Sequence, residues 1–199
     1  MEIFYLGDTC FKVKSKEVTL VIDPPSASGG FEADIICLTQ SVKGLKGIKE
    51  SKETFVIDGP GEYEVSGVTV FGIHAQAGNK EQKEPMAIYS LEIEDFYLAH
   101  LGVISQKLND EQVSELEGVD ILMVPIGGAV SVGPKKAVEV VEQTSPSIVI
   151  PMDYSDSTKL EKFFEEMEAE APKPVEKLKL KSRNDLPEER KVVILECKG

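Results

Sequence analysis

The amino-acid sequence predicts an α/β fold: a four-layer αββα sandwich in which two mixed, largely antiparallel sheets carry helices on their outer faces. Two patterns predict it. Through residue 99 the chain is a series of short β-branched and aromatic runs separated by tight turns, as antiparallel strands read. Beyond residue 108 amphipathic helical patterns alternate with nearly unbroken apolar runs, as strands covered on both faces read. At 199 residues the length suits one domain, residues 1–199, with a core large enough to need no disulfides.

Strands are expected at residues 2–6, 10–13, 18–22, 35–38, 54–57, 62–65, 68–73, 87–93 and 96–99. Turn residues stand between them, among them Gly7-Asp8, Asp23-Pro24-Pro25, Asp58-Gly59-Pro60-Gly61, Ser66-Gly67 and Glu94-Asp95. Asn109, with Gln112 three residues on, forms a capping box for a first helix that carries Val113 and Leu116 and stops at Gly118. The apolar run 119–124 is the next strand. Pro134 after Gly133 opens a second helix with Ala137, Val138, Val140 and Val141 inward, followed by a strand at 147–150. Leu160, Phe163, Phe164 and Met167 recur at helical spacing and define a third helix whose glutamates face solvent. After Ala171-Pro172-Lys173-Pro174 come two short apolar runs, around Leu178 and at 192–195, too few to make a core of their own; they complete a sheet.

The chain holds 22 Lys and Arg against 35 Asp and Glu, a formal charge of −13. That balance repels polyphosphate, so a nucleic-acid partner is not expected. Cys10, Cys37 and Cys197 are odd in number and set in apolar runs, and read as buried thiols in a reducing compartment. No stretch approaches the ~20 apolar residues of a membrane span, and the first residues do not resemble a leader. A cytoplasmic protein with no membrane partner is expected.

Ligands of sheet-and-helix folds collect in loops beyond strand ends. The candidate loops begin at Thr39, His74, His100, Gly127-Gly128 and Pro151. The amides of Gly127-Gly128 could face an anion, although paired glycines more often serve a turn. Catalytic zinc usually takes three protein ligands, and a chain with only two histidines has no three-histidine site.

Several segments follow the order of a known family: Leu20-Val21-Ile22-Asp23-Pro24, the run from Ala33 to Thr39, Gly59-Pro60-Gly61-Glu62-Tyr63-Glu64-Val65, His100-Leu101-Gly102, the run from Val119-Asp120 to Gly127-Gly128, and Pro151-Met152-Asp153-Tyr154. In these segments, spread over essentially the whole chain, the sequence resembles the metallo-β-lactamase superfamily. Within it, the chain is similar to small Zn-dependent hydrolases related to the L-ascorbate-6-phosphate lactonases. The resemblance implies the αββα metallo-β-lactamase fold, with a site at the mouth between the two sheets.

Departures from that family's pattern carry the functional expectation. The family's H-x-H-x-D-H metal motif would follow Thr39, where this chain reads Gln40-Ser41-Val42-Lys43-Gly44-Leu45. Its Leu-Gly-Asp is here Leu101-Gly102-Val103, its Pro-Met-His-Tyr is Pro151-Met152-Asp153-Tyr154, and its early Gly-His-Ser-Cys is Gly7-Asp8-Thr9-Cys10. A His-Asp of the middle loop falls near Gln76-Ala77, with His74 two positions short. No zinc is expected, and at most weak Mg or Ca binding through the oxygens of Asp8 and Asp153. The candidate pocket comprises Asp8, Gln40, Lys43, His74, Gln76, Val103 and Asp153, with no catalytic residue assigned. Lys43 is read as a cation in the vacated metal space, His100 as a structural histidine at a strand end, and Asp23 as a turn residue.

These substitutions predict a hydrolase-like protein that has lost its zinc ligands, is catalytically degenerate, and binds a small molecule or a protein partner, with homo-oligomerisation open. Two alternatives remain. One is an active hydrolase with a site rebuilt from Asp8, His74, Gln76 and Asp153, around a hard metal or by metal-free acid–base chemistry. The other is a structural or assembly module whose mouth is filled by Val42, Leu45 and Val103.

Overall fold

A computed structural model describes residues 1–25, 32–40, 54–78, 84–154 and 156–198. Its strands form two mixed sheets. The first contains β1 (Glu2–Gly7), β2 (Cys10–Lys14), β3 (Thr19–Ile22), β4 (Ile35–Cys37), β5 (Phe55–Ile57) and β12 (Leu178–Lys179), in the order β12-β1-β2-β3-β4-β5. The second contains β6 (Gly61–Val65), β7 (Val68–Ala77), β8 (Glu84–Ile93), β9 (Phe96–His100), β10 (Ile121–Pro125), β11 (Ile148–Met152) and β13 (Lys191–Val192), in the order β13-β11-β10-β9-β8-β7-β6. Antiparallel hairpins join β1 to β2 to β3 and run from β6 to β9. Pairing turns parallel at β3-β4-β5 and across β9-β10-β11-β13.

Alternation along the strands divides the core. Ile3, Phe11, Val13, Leu20, Ile22 and Ile35 of the first sheet meet Val70, Tyr89, Leu91, Leu98, Met123 and Ile150 of the second. The opposite face of the second sheet, through Ile88, Ala99, Leu122, Val124 and Val149, lies under the helices α1 (Asp110–Glu115), α2 (Pro134–Thr144) and α3 (Ser157–Glu166). All five residues of β10 are buried, the cost of covering both faces being met by an apolar sequence.

Local signals place the helices. Asn109 and Gln112 form the capping box, with Asn109 Oδ1 accepting the Gln112 amide at 2.8 Å. Pro134 is the first residue of α2, and Ala137, Val140 and Val141 are buried beneath it, with Val138 packed at the margin. In α3 Phe163 and Phe164 are buried and Leu160 and Met167 flank them. The described helices all belong to the second sheet. Among the described residues no helix covers the outer face of the first sheet, where Cys10, Val21, Ile36 and Leu38 form their own cluster.

The tail closes both sheets. Leu178 and Lys179 pair with β1, Lys191 and Val192 with β11, and the longer strands expected there shrink to two residues each. Arg183 clasps Asp120 with two hydrogen bonds of 2.7 Å, while Asp120 also accepts the Tyr97 amide at 2.9 Å. Cys197, expected to be buried, is exposed, because it sits on the last stretch of chain beside Tyr5 at the sheet's margin; Cys10 and Cys37 are buried. Among the described residues no helix is long and apolar enough to cross a membrane.

Candidate functional site

One end of the sandwich gathers the turn between β1 and β2 and the ends of β4, β9, β10 and β11. Main-chain groups stitch the two sheets together there. His100, fully buried at the end of β9, meets the Thr9 carbonyl through Nε2 at 2.9 Å, and its Nδ1 accepts the Gly102 amide at 3.2 Å. The Gly102 contact makes Nδ1 the acceptor, so Nε2 carries the proton that Thr9 receives. Burial lowers its pKa, and nearby Asp23 only partly opposes that. A neutral ring with both nitrogens committed has no lone pair left for a metal or a substrate.

Asp23 does more than turn the chain. Held in the left-handed region (φ 47°), it accepts the Thr39 amide at 2.7 Å and the Thr39 hydroxyl at 2.6 Å, so the chain just past β4 is clamped by the residue that follows β3. The Thr39 carbonyl accepts from Ala87 at 2.8 Å, and Gln40, half-buried, bridges to Met86. The buried Tyr89 hydroxyl donates to the Leu38 carbonyl at 2.7 Å.

Asp8 and Asp153 meet beside this seam. The Asp153 amide donates to the Asp8 carbonyl at 2.9 Å, and both residues have positive φ, 52° and 48°. The Asp153 carboxylate lies over Gly128, so close that a Cβ built there would stand 2.0–2.4 Å from its carboxyl atoms. The Gly128 amide itself goes to Ser131 Oγ at 2.8 Å. Asp153 Oδ2 is buried without a hydrogen-bond partner among the described residues. Burial pushes this carboxyl's pKa upward, and the Asp8 charge adds to it against the pull of Ser131 and Gly128. The anion beside the double glycine is thus the chain's own. The cap of α3 is Asp156.

His74 does not open a loop. β7 continues through Ala77, paired residue by residue with β8, so that Ala75 and Ala77 are buried toward the helices while His74 is exposed and Gln76 half-buried on the other side. The His74 carbonyl accepts from Gln112 Nε2 at 2.8 Å, which ties α1 to β7. Beside His74 lies a cleft of about 400 Å³ lined by Thr39, Asp58, Gly59, Pro60, His74, Pro85, Met86 and Ala87. Its far wall stands where it does because position 72 has no side chain: a Cβ on Gly72 would be 2.6 Å from the Gly59 carbonyl oxygen and 2.9 Å from Pro60 Cα.

The candidate residues therefore separate. His74 lines the cleft, with Gln40 next to its Thr39 wall and Gln76 on the same strand. Asp8 and Asp153 form a second group, and Val103 is half-buried against the helix-side core. Lys43, with Val42 and Leu45, lies outside the described residues. Sequence reasoning did not find Asp58, Met86 or the Asp23 clamp. A signal for Asp58 existed in the Asp58-Gly59-Pro60-Gly61 turn, whereas Met86 lies in a stretch with no local mark.

The fold and the gathering of strand ends define a two-sheet sandwich of metallo-β-lactamase type. The chain belongs to the beta-lactamase superfamily, whose domain profile matches residues 2–153. It is 31% identical over 180 residues to a UPF0173 protein of Pyrococcus abyssi, covering 77% of this chain and 83% of that one. A UPF0173 metal-dependent hydrolase of Thermococcus onnurineus is 31% identical over 99 residues, 48% of this chain and 44% of its own length, so that match spans less than half of the relative. A crystal structure from Thermotoga maritima, described as a candidate Zn-dependent hydrolase of the metallo-β-lactamase superfamily, superposes with a TM-score of 0.81 at 29% identity, covering 99% of both chains.

These relatives correct one expectation. Their names point to a metal cofactor, where the sequence departures suggested none beyond weak Mg or Ca binding. The described residues, however, do not fit a catalytic metal's donor set. No three of their His, Cys, Asp and Glu side chains are grouped to hold an ion. His100 and Asp23 are committed as described, Val103 offers no donor, and burial pushes the Cys10 thiol up to about 12, away from the thiolate that binds metals.

Proposed function

We propose that this superfamily member works as a small-molecule-binding protein in which the hydrolytic step is lost. The observation that carries the reading is His100: a histidine at the seam where the family's site is expected, with both ring nitrogens given to main-chain partners. It is supported by the seam itself, since contacts of Thr9 with His100, Asp8 with Asp153, and Thr39 with Ala87 occupy the strand ends. The neighbouring cleft supplies a place to bind. Its volume of about 400 Å³ falls in the ordinary range for small-ligand sites, and most of its wall is apolar with a few polar groups.

The experiment is an activity screen on the full chain after loading with zinc and, separately, manganese, using lactone, ester and phosphodiester substrates. It is paired with nuclear magnetic resonance titration of a small-molecule library, read at the Met86 methyl. No turnover above the protein-free blank, together with binding at Met86, is the expected result. Turnover that disappears on chelation and returns with the metal would overturn the proposal.

A further inference from the structure

The same cleft has a chemical polarity, and the inference from it rests on the binding reading above. Its polar lining is weighted toward acceptors. The Thr39 hydroxyl gives its proton to Asp23 Oδ2 at 2.6 Å, so toward any ligand that oxygen can only accept. Asp58 contributes a carboxylate. Among the described residues that line it, only His74 has a side chain free to donate, and none is a lysine or arginine. Pro60, Pro85, Met86 and Ala87 make the rest of the wall apolar.

A carboxylate or phosphate ligand would face the Asp58 carboxylate, with no lysine or arginine among the described lining residues, in a chain whose formal charge is −13. An ammonium group has the opposite fit. It brings donors to Asp58 and Thr39 and leaves its carbon body to the prolines and to the Met86 thioether, which packs well against an aromatic ring. We propose that the cleft takes a small organic cation, a primary or secondary amine on a compact apolar or aromatic body.

The test is titration calorimetry, with resonance shifts at the Met86 methyl, on the full chain and on Asp58→Asn. The three probes share one body: phenethylamine, phenethyl alcohol and 3-phenylpropanoate. Phenethylamine is expected to bind tightest, and D58N to weaken it roughly fivefold while leaving the alcohol unchanged. Asp58 is exposed, so the variant keeps its fold, which a thermal melt verifies. If the alcohol or the acid shifts Met86 as strongly as the amine, or if D58N leaves the amine's affinity intact, the cation assignment falls and the binding reading stands. If none of the three shifts Met86 at millimolar concentration, both fall.

Discussion

Gly128→Ala tests the arrangement of Asp8, Asp153 and the double glycine directly. A Cβ at position 128 would lie 2.0 Å from Asp153 Oδ2 and 2.4 Å from Cγ and Oδ1, well inside van der Waals contact. The carboxylate has little freedom to retreat, because its own backbone is pinned to the Asp8 carbonyl and is held at φ 52°. Forcing a methyl into such a space costs about 1–3 kcal/mol. Position 128 itself is not in the left-handed region, so alanine brings no backbone strain and recovers roughly 0.5 kcal/mol from the unfolded state. The net loss is about 1.5 kcal/mol, or a fall in Tm of roughly 3–6 °C for a chain of this size. Asp153→Gly removes the carboxylate and relaxes the positive φ at once, so G128A made in that background becomes neutral or slightly stabilising. Asp153→Asn keeps the shape and keeps the clash. Urea unfolding of the four members of the G128A/D153G cycle measures the coupling. A value below ~0.5 kcal/mol would refute the placement of the Asp153 carboxylate over Gly128.

Arg183→Ala leaves Asp120, whose side chain is 5% exposed, with the Tyr97 amide as its remaining partner. Because Arg183 is itself half exposed, the expected loss is about 1–2 kcal/mol in urea, with faster proteolysis of the C-terminal stretch; an unchanged midpoint would contradict the clasp. His100 sets a pH dependence of definite sign. Burial depresses its folded pKa below the ordinary value of 6.5, so as pH falls below about 6.5 the unfolded chain takes up a proton that the folded chain refuses. Stability therefore declines as pH falls below about 6.5, with a slope of at most about 1.4 kcal/mol per pH unit, until the folded ring itself takes up the proton. Asp153, pushed upward by burial, works in the opposite direction at lower pH. His100→Gln removes the decline, and a variant that retains the wild-type slope over that window would contradict the assignment.

What the sequence disclosed and what it withheld divide along the range of the interactions. The capping box of Asn109 and Gln112, Pro134 at the start of α2 and the Phe163-Phe164 stripe are local, each decided within one or two turns, and each is where the pattern placed it. His74-Ala75-Gln76-Ala77-Gly78 reads as a polar, small-residue loop, which ends the expected strand at Ile73. What makes it strand is pairing with β8 as far as Ala77 opposite Glu84, which no window on β7 contains. Candidate site residues suffered most from this. Asp8 and Asp153 belong together through a main-chain bond between residues far apart in the chain, and the cleft wall depends on Gly72 leaving room for the Gly59 carbonyl. Asp23 looked like a turn residue because it is one; its second role, clamping Thr39, arises only once β3 and β4 lie side by side.

A superfamily scaffold can outlast its chemistry when the two draw on different atoms. Here the inter-sheet core uses alternate positions within the strands, such as Ile3, Phe11, Leu20, Tyr89, Leu98 and Met123. The positions where the family pattern calls for ligands sit beyond the strand ends, at Asp8, after Thr39, at Val103 and at Asp153. Replacing them leaves the core untouched. The seam that now holds those ends relies chiefly on carbonyls, those of Asp8, Thr9 and Thr39, which every residue type supplies. Of the two histidines, one locks this seam and the other faces the cleft. Membership of the family therefore argues strongly for the sandwich and only weakly for the reaction.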